Sequence, residues 1–471
     1  MYIRNLTLKN VKLMRELTLD FTRQGEPRMW TVLLGENGTC KTTILQAIAM
    51  AASGPSLASR LASSGRADVL RSLRRRESRA ETRIVSQFTF GRGGHEGYEI
   101  ARIRPEQPAT DGQRFPPREY PEWRGERPEQ SPILHSQLYQ MSGQHRISGI
   151  SWYEGQQPQE SRPLEQDPLE VLRGREWIVP HWFVAGYGVD RNLPQPEGAN
   201  GRAGVQERLQ SLFGNHTISA TKFATHFVLT GNDELADAFE KTLRVVVQKT
   251  TSLLPGVSDI KLRVESPESR RDPIERHQVQ ETIGDEGSLL LPTVWMSQGY
   301  QSSITWIADL VGQVLLEAQL GVPPEHMEGL VLIDEIDLHL HPRWQVGLIE
   351  ALKDIFPKLQ FVVTTHSPLV ITGCESDEVI CLERQNGEIT LADIRAPSPR
   401  TLTGTELYWN YFALEQLIPN ARGQALYDYE RLARNGARTE EEEAELERLR
   451  EQLSESGIEP DIPVIPRESG S

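Results

Sequence analysis

Features typical of secreted, membrane or broadly nucleic-acid-coating proteins are scarce in this chain. It has 3 cysteines in 471 residues, too few for a disulfide framework and typical of a reducing compartment. The net charge of −15 gives no overall attraction to nucleic acid. No apolar run is long enough to span a bilayer, and the opening residues M-Y-I-R-N-L-T-L lack the apolar core of a signal peptide. We therefore expect a cytoplasmic protein with no membrane partner.

The strongest pattern that is present runs from Thr31 to Ile48. It reads T-V-L-L-G-E-N-G-T-C-K-T-T-I-L-Q-A-I, an apolar strand, a tight glycine loop and a helix. Such a loop turns its backbone N–H groups toward phosphates, and the helix N-terminus favours the same anion. A chance glycine turn before a helix is the alternative for this stretch taken alone.

The loop and the first turn of its helix are expected to bind a nucleotide. Lys41 would reach the β- and γ-phosphates, and the Thr42 hydroxyl would bind Mg²⁺. Cys40 stands where a glycine normally avoids a steric cost beside the phosphate. It is either small enough to be tolerated, or it slows turnover and makes the site redox-sensitive. The expected nucleotide-binding residues here are Gly35, Asn37, Gly38, Thr39, Cys40, Lys41, Thr42 and Thr43.

Two acidic residues end a second apolar run, G-L-V-L-I-D-E, at Gly329–Glu335. Burying unpaired carboxylates is costly, so two acids at the end of a buried strand indicate function rather than structure. We expect Asp334 to hold Mg²⁺ through water and Glu335 to orient or deprotonate an attacking water. The nearby pair His339 and His341 is a weak metal-site pattern, because no third ligand accompanies it.

Two further patterns flank the acidic pair. M-S-Q-G-Y-Q-S, at Met296–Ser302, precedes a helix, and a Ser-x-Gly turn there can present N–H groups and a hydroxyl to an anion. L-Q-F-V-V-T-T-H-S-P is a buried strand that ends in His366, a residue placed to hydrogen-bond a γ-phosphate. Each pattern is weak alone, but chance does not readily explain their order along the chain.

This ordered set resembles the ABC-type ATPase heads of the SMC, RecF and OLD-like superfamily. G-Y-G-V-D-R and M-S-Q-G-Y-Q-S-S-I-T-W-I-A-D-L look like the stand-alone, short-armed ATPases of bacterial defence operons, of the Septu and PARIS kinds. The resemblance assigns Walker A to Lys41 and Thr42, the signature motif to Ser297 and Gly299, Walker B to Asp334 and Glu335, the D-loop to Asp337 and the switch histidine to His366.

The resemblance implies an α/β fold, an ABC-type P-loop ATPase head with a mixed central sheet, an antiparallel β subdomain and a helical insertion. No heptad pattern persists, so we expect no long coiled coil. The expected segments are an N-terminal ATPase lobe (1–104), an irregular insertion (105–176), a helical insert (177–285), a C-terminal ATPase lobe (286–395) and a helical extension with a tail (396–471).

The implied function is hydrolysis of ATP with Mg²⁺ by a homodimer or higher homo-oligomer. Each ATP would lie between the P-loop of one head and the Ser297/Gly299 segment of the other. Head pairing would control a partner effector, a nuclease encoded nearby, in anti-phage defence. The alternatives are a RecF-type DNA-repair or chromosome-maintenance ATPase that acts directly on DNA, and a scaffold that hydrolyses ATP slowly. A transporter subunit fits least.

Three stretches leave two interpretations open. The arginine-rich run between Arg60 and Arg79 is either a solvated helix face or a contact for nucleic acid. Gln87 is either a nucleotide-sensing glutamine or a plain strand residue. Arg191, after the glycine turn of G-Y-G-V-D-R, either lies beside the phosphates or simply follows a strand.

Overall fold

The computed structural model describes residues 1–64, 81–89, 133–140, 146–158, 163, 167–173, 183–191, 205–214, 223, 226–227, 230–249, 257–261, 278–282, 288–292, 298–318, 321–394, 396–412, 421–458 and 464–466. The sequence pattern of residues 98–104 predicts a strand, but these residues and most of the arginine-rich run lie outside the described ranges. Two compact units divide the chain, Met1–Leu402 and Thr403–Ser471. The five-segment division expected from the sequence stays a prediction.

The strands of the described residues belong to the first unit. In chain order they are β1 (Tyr2–Val11), β2 (Met14–Asp20), β3 (Thr22–Arg23), β4 (Glu26–Pro27), β5 (Trp30–Gly35), β6 (Thr82–Thr89), β7 (Ile133–Gln140), β8 (Ser148–Tyr153), β9 (Val184–Tyr187), β10 (Val257–Lys261), β11 (Gln278–Thr282), β12 (Ser288–Pro292), β13 (Gly329–Ile333), β14 (Leu359–Thr364), β15 (Val379–Gln385) and β16 (Glu388–Leu391).

The α-helices of the described residues fall in both units. The first unit contains α1 (Lys41–Ser53), α2 (Pro55–Ser64), α3 (Pro168–Arg173), α4 (Val205–Leu209), α5 (Asp233–Lys249), α6 (Gln298–Ala318), α7 (Pro342–Gln345) and α8 (Leu348–Ile355). The second unit contains α9 (Gly404–Phe412), α10 (Ala421–Arg434) and α11 (Glu440–Glu455).

The central sheet joins six of the described strands in the order β16-β15-β5-β14-β13-β9. Neighbours from β15 to β9 are parallel, and β16 pairs antiparallel with β15, so the expected mixed sheet is confirmed. Every residue of β13 and β14 is buried, which explains their nearly continuous apolar sequences.

A second, antiparallel sheet runs β2-β1-β6-β7-β8 among the described strands, and it is the expected β subdomain. Helix α1 contributes to one apolar core with residues of both sheets. That core includes Leu6 from β1, Ile48 from α1, Leu134 from β7 and Val362 from β14. The small residues of A-I-A-M-A-A-S in α1 are buried, which lets the helix pack closely. The nucleotide loop is therefore attached to the core at both of its ends.

The insert between the lobes differs in detail from the sequence patterns. The sequence from Gln206 to Leu254 has a helical pattern, which the structure divides into α4, a 3₁₀ turn at Gln210–Phe213 and α5. Gly214 has a φ of 72° and ends the 3₁₀ turn, which explains the break. The apolar residues at 260–264 predict a short strand, and the structure has β10, which begins at Val257 and pairs in the order β10-β11-β12. Helix α6 begins at Gln298, so Gly299 lies inside its first turn instead of before it.

The second unit contains a helical hairpin of α10 and α11. Its core includes Tyr429, Leu432, Leu446 and Leu453. Thr439 and Glu442 have the spacing that predicts a capping box, and the structure confirms it. The Thr439 hydroxyl accepts from the backbone N–H of Glu442 at 3.2 Å, and the Glu442 side chain accepts from the N–H of Thr439 at 2.9 Å.

The longest α-helix of the described residues, α6, has 21 residues, in keeping with the absence of a long coiled coil. None of the helices in the described ranges is both long and apolar enough to cross a membrane.

Candidate active site

The nucleotide loop leaves the sheet at the carboxyl end of β5. Gly35 has a φ of 150°, and a Cβ there would lie 2.6 Å from Oγ1 of Thr39 and 2.7 Å from the carbonyl oxygen of Leu382, so a side chain does not fit. The Thr39 hydroxyl donates to the carbonyl oxygen of Glu36 at 2.8 Å and closes the loop. Lys41 Nζ donates to the carbonyl oxygens of Gly35 at 2.7 Å and Glu36 at 3.0 Å.

Cys40 is the last loop residue before α1, and its backbone is left-handed. Its φ of 64° and ψ of 23° lie in the region that glycine adopts without penalty. An ordinary L-residue there costs roughly 1–2 kcal/mol. The thiol is half-buried against the core, with Sγ 3.8 Å from the carbonyl oxygen of Gly38. The backbone conformation therefore explains why glycine is usual at this position.

The parallel register brings three strand ends together at one edge of the central sheet. Ile333 of β13 pairs with Val363 of β14, and Thr364 of β14 pairs with Leu33 of β5. The nucleotide loop, the acidic pair and the residues around His366 each follow one of these strands. Segments far apart in sequence therefore meet at one place.

Asp334 is fixed by hydroxyl groups from two of these segments. Thr42 Oγ1 donates to Oδ2 of Asp334 at 2.7 Å, and Thr364 Oγ1 donates to Oδ1 at 2.6 Å. The Thr364 hydroxyl also accepts from the backbone N–H of Glu335 at 2.7 Å. One threonine thus positions both acidic residues.

The oxygen atoms of Asp334 and Thr42 are suitable ligands for a magnesium ion. Mg²⁺ prefers oxygen ligands, usually keeps several waters and needs only one or two protein groups beside substrate phosphates. The Thr42 hydroxyl and the Asp334 carboxylate provide two such oxygens beside Lys41. Burial lowers the pKa of the Lys41 ammonium, and the carboxylates of Asp334 and Glu335 oppose that shift. The described residues contain no cluster of three or more His, Cys, Asp or Glu that could hold a metal by protein ligands alone.

A cavity of about 420 Å³ opens over these groups. Ten of the residues expected from the sequence line it: Asn37, Gly38, Thr39, Cys40, Lys41, Thr42, Thr43, Asp334, Glu335 and His366. Gly35, Gly299 and Asp337 are not among the lining residues, and Ser297 lies outside the described part of the chain. Gln87 does not line the cavity either, and it lies within β6 opposite Asn5 and His135.

Three further residues line the cavity that the sequence patterns did not identify, namely Lys12, Leu13 and Thr364. Lys12 lies in the turn between β1 and β2, and its Nζ donates to Oγ1 of Thr43 at 2.7 Å. A lysine in a two-residue turn gives no sequence signal of its own. The pair Thr364-Thr365 could have been noticed, because it places two hydroxyls at the end of a buried strand.

Gly299 lies close to the loop that follows Glu335. A Cβ on Gly299 would be 2.5 Å from the carbonyl oxygen of His339, so the first turn of α6 can pack there only without a side chain. In the same loop, Asp337 Oδ1 accepts from the Thr365 hydroxyl at 2.5 Å. Gly299 therefore lies against the loop that carries Asp337, and neither residue lines the cavity of its own chain.

Arg191 lies behind the acidic pair and not in the cavity lining. Strand β9 pairs parallel with β13, and the N–H of Asp334 donates to the carbonyl oxygen of Tyr187 at 2.8 Å. Arg191 Nη2 donates to the carbonyl oxygens of Asp334 at 2.6 Å and Glu335 at 2.5 Å. Of the two interpretations of this arginine, the structure disfavours direct lining of the phosphate cavity.

Comparisons with known proteins match the chain to two family models and to named relatives. A family model described as "AAA domain" matches residues 5–148, and one described as "AAA domain, putative AbiEii toxin, Type IV TA system" matches residues 234–372. The chain is 34% identical over 196 residues to "Retron Ec83 probable ATPase" of Escherichia coli, covering 41% of this chain and 32% of that protein. It is 25% identical over 461 residues to "Septu protein PtuA" of Bacillus mycoides, covering 96% of this chain and 50% of that protein.

The predicted resemblance to SMC-like ABC ATPases is confirmed. The chain spans about a third of the length of the Escherichia coli relative and about half of the length of the Bacillus mycoides relative. Among solved structures, the SMC head domain of Thermotoga maritima is similar with a TM-score of 0.42 and 12% identity, over 84% of this chain and 100% of that one.

Replacing Cys40 tests the left-handed backbone before α1. Cys40→Gly should raise the free energy of unfolding by up to about 1 kcal/mol, because glycine avoids the cost of this conformation. Cys40→Val should lower it by about 1–2 kcal/mol, since a β-branched side chain fits poorly there. Urea denaturation measures both. Cys374, which is buried with a φ of −104°, is the control position, and there the valine variant should be more stable than the glycine variant. A glycine variant that is the more stable of the two at both cysteines would contradict the explanation.

Substitution of Lys12 tests whether its ammonium group contributes to nucleotide binding in the cavity. Lys12→Met should weaken binding of a fluorescent ATP analogue by roughly fivefold, about 1 kcal/mol, because a charged hydrogen-bond donor is lost. Lys9→Met is the matched control, since Lys9 lies near that turn on β1 and pairs with Glu16 at 2.8 Å instead. Equal losses in the two variants, measured by fluorescence titration, would argue against a specific contribution of Lys12.

Proposed function

We propose that this chain binds ATP with Mg²⁺ in the cavity between β5, β13 and β14 and hydrolyses it. The observation that carries the proposal is the 2.7 Å hydrogen bond between the Thr42 hydroxyl and the Asp334 carboxylate, next to the buried ammonium of Lys41. A hydroxyl, a carboxylate and a lysine around a glycine loop match the requirements of a nucleotide phosphate with its metal ion.

The residues that line the cavity would have separate roles in ATP binding and hydrolysis. Lys41 would exchange its bonds to the loop carbonyls for the β- and γ-phosphates, and Thr42 and Asp334 would hold Mg²⁺. The ion neutralises charge on the phosphate oxygens when it is bound. Glu335, which lines the cavity, would orient the attacking water and take its proton, and His366 would hydrogen-bond the γ-phosphate.

We also propose that two heads pair head to tail around the nucleotide. In this proposal the signature segment, whose Gly299 does not line the cavity of its own chain, would contact nucleotide held by a second copy. ATP that binds closed heads more tightly than open ones would drive the pairing, and hydrolysis would reverse it.

We further propose that this cycle controls a separate effector protein in bacterial defence. The relative named as a Septu protein supports this, because Septu is one of the kinds of defence ATPase that the sequence resemblance indicated. The matches cover 32% of the retron relative and 50% of the Septu relative, and assigning the effector chemistry to a partner protein is part of the proposal.

Glu335→Gln tests hydrolysis and pairing together. The amide cannot accept the proton of the attacking water, so ATP turnover should fall at least about 100-fold while ATP stays bound. With ATP and Mg²⁺, the variant should shift to the mass of a dimer or larger assembly. Phosphate release and mass photometry give the two readouts.

The matched control for this substitution is Glu16→Gln, an exposed glutamate on β2 that pairs with Lys9. It should behave like the wild type in both assays. Unchanged turnover in Glu335→Gln would refute the assignment of Glu335. Strong stimulation of the isolated wild-type protein by DNA would favour the alternative of an ATPase that acts directly on DNA.

The effector proposal predicts a stable heteromeric complex. Expression together with the genes that neighbour it should yield, by native mass spectrometry, a complex that contains two or more copies of this chain and a second protein. Loss of that second protein should leave ATP turnover within about threefold of that of the complex, because the ATPase site lies within this chain. Recovery of this chain alone from its own operon would contradict the effector proposal.

A further inference from the structure

Arg191 is a buried cation beneath the turn that holds Glu335. Its side chain is 2% exposed, although arginine is almost never fully buried without a partner. It follows β9, the strand that pairs with β13, so its guanidinium lies directly behind the acidic pair.

The arginine contacts backbone and not carboxylates. Nη2 bridges the carbonyl oxygens of Asp334 and Glu335 at 2.6 and 2.5 Å. Within the described ranges no ion pair joins Arg191 to an acidic side chain, and its Nε and Nη1 find no hydrogen-bond partner there. Burial lowers the pKa of Arg191 to about 10, with Asp334, Asp337 and Glu335 opposing the shift, so the group is still a cation at neutral pH.

This arrangement is a poor way to gain stability. A buried charge with unsatisfied donors costs several kcal/mol, and an apolar side chain of similar volume is often neutral or better. A role in fixing the turn at Asp334 and Glu335 explains this free-energy cost more readily than core packing does.

The turn that Arg191 holds is itself strained. Glu335 has a φ of 48°, a left-handed conformation that is unusual for any residue other than glycine and persists only where neighbouring groups enforce it. Three backbone contacts enforce it besides Arg191: Glu335 N–H to Thr364 Oγ1 at 2.7 Å, Ile336 N–H to Thr364 O at 2.9 Å and Leu338 N–H to Glu335 O at 2.9 Å. Those contacts hold the N–H groups of Glu335 and Ile336 and one side of the Glu335 carbonyl, whereas the Arg191 side chain donates to the two carbonyls before and after the Glu335 Cα.

We propose that Arg191 is a positioning residue for hydrolysis, which clamps the carbonyls of Asp334 and Glu335 and thereby aims the Glu335 carboxylate at the attacking water. The inference rests on the proposed ATPase function. A displacement of about 1 Å of a catalytic group can cost up to roughly 100-fold in rate, so loss of the clamp should act on turnover and not on nucleotide affinity.

The test compares Arg191→Lys and Arg191→Met with the wild type. Arg191→Met should lower kcat by about 10- to 100-fold while KM and the affinity for a fluorescent ATP analogue stay within about threefold. Arg191→Lys keeps the cation and one donor to the carbonyls, so its kcat should lie between those of the wild type and Arg191→Met. Thermal unfolding shows whether each variant is folded, and Arg191→Lys carries the test where Arg191→Met does not fold.

Arg208→Lys is the matched control. Arg208 is also 2% exposed, and its Nε donates to the carbonyl oxygen of Val184 at the other end of β9 while it pairs with Glu317. The same substitution there should change Tm by a comparable amount but leave kcat within about twofold of wild type.

A double-mutant cycle separates positioning from a general structural effect. If Arg191 acts through Glu335, Arg191→Lys should reduce the residual turnover of Glu335→Gln by less than about twofold, although it slows the wild type several-fold. Additive losses, a parallel loss of ATP affinity or an Arg191→Lys variant with wild-type kcat would each overturn the inference. Equal turnover of wild type and Glu335→Gln would instead refute the proposed function, so the two failures are distinguishable.

Discussion

The hydrogen bond between Thr42 and Asp334 is the contact on which the candidate site depends. It joins the first turn of α1 to the end of β13 across 292 residues of sequence, at 2.7 Å. Thr364 fixes the second carboxylate oxygen, so the geometry of Asp334 is set by protein groups on both sides. A metal ion that demands near-octahedral oxygen ligands is best served by donors that are already placed in this way.

The central sheet makes this long-range contact possible. Because β5, β14 and β13 are parallel neighbours, their carboxyl ends lie along one edge, and the segments that follow them converge. Parallel strands require long crossover connections, so the connection between β9 and β13 can carry an insert without disturbing the edge. The insert of β10 to β12 and α5 falls in that interval. The site therefore constrains the strand ends and α1 far more than it constrains the insert.

The same topology explains which parts of the site the sequence could predict. The nucleotide loop, the acidic pair and His366 were predictable, because each follows a buried strand and carries chemistry in adjacent residues. Lys12 and Thr364 were not predicted, since their proximity to the cavity arises from pairing between distant strands, and a single sequence does not encode that register locally. The sequence pattern also indicates Arg191, but its contact with the carbonyls of Asp334 and Glu335 depends on the pairing of β9 with β13. The mixed sheet and the antiparallel subdomain were predictable chiefly through the family resemblance.

Three non-glycine residues with left-handed backbones, Lys12, Cys40 and Glu335, lie on the walls of the cavity. Each conformation costs roughly 1–2 kcal/mol, and such strain persists only where the surroundings overdetermine it. At Cys40 the rigid start of α1 and the closed loop impose it. At Glu335 the strand has just ended, and a continued strand would alternate its side chains between the two faces of the sheet. The left-handed turn interrupts that alternation and lets Asp334 and Glu335 both line the cavity. Orientation of the acidic pair is therefore a backbone property, and the contacts that hold the turn matter as much as those that touch the nucleotide.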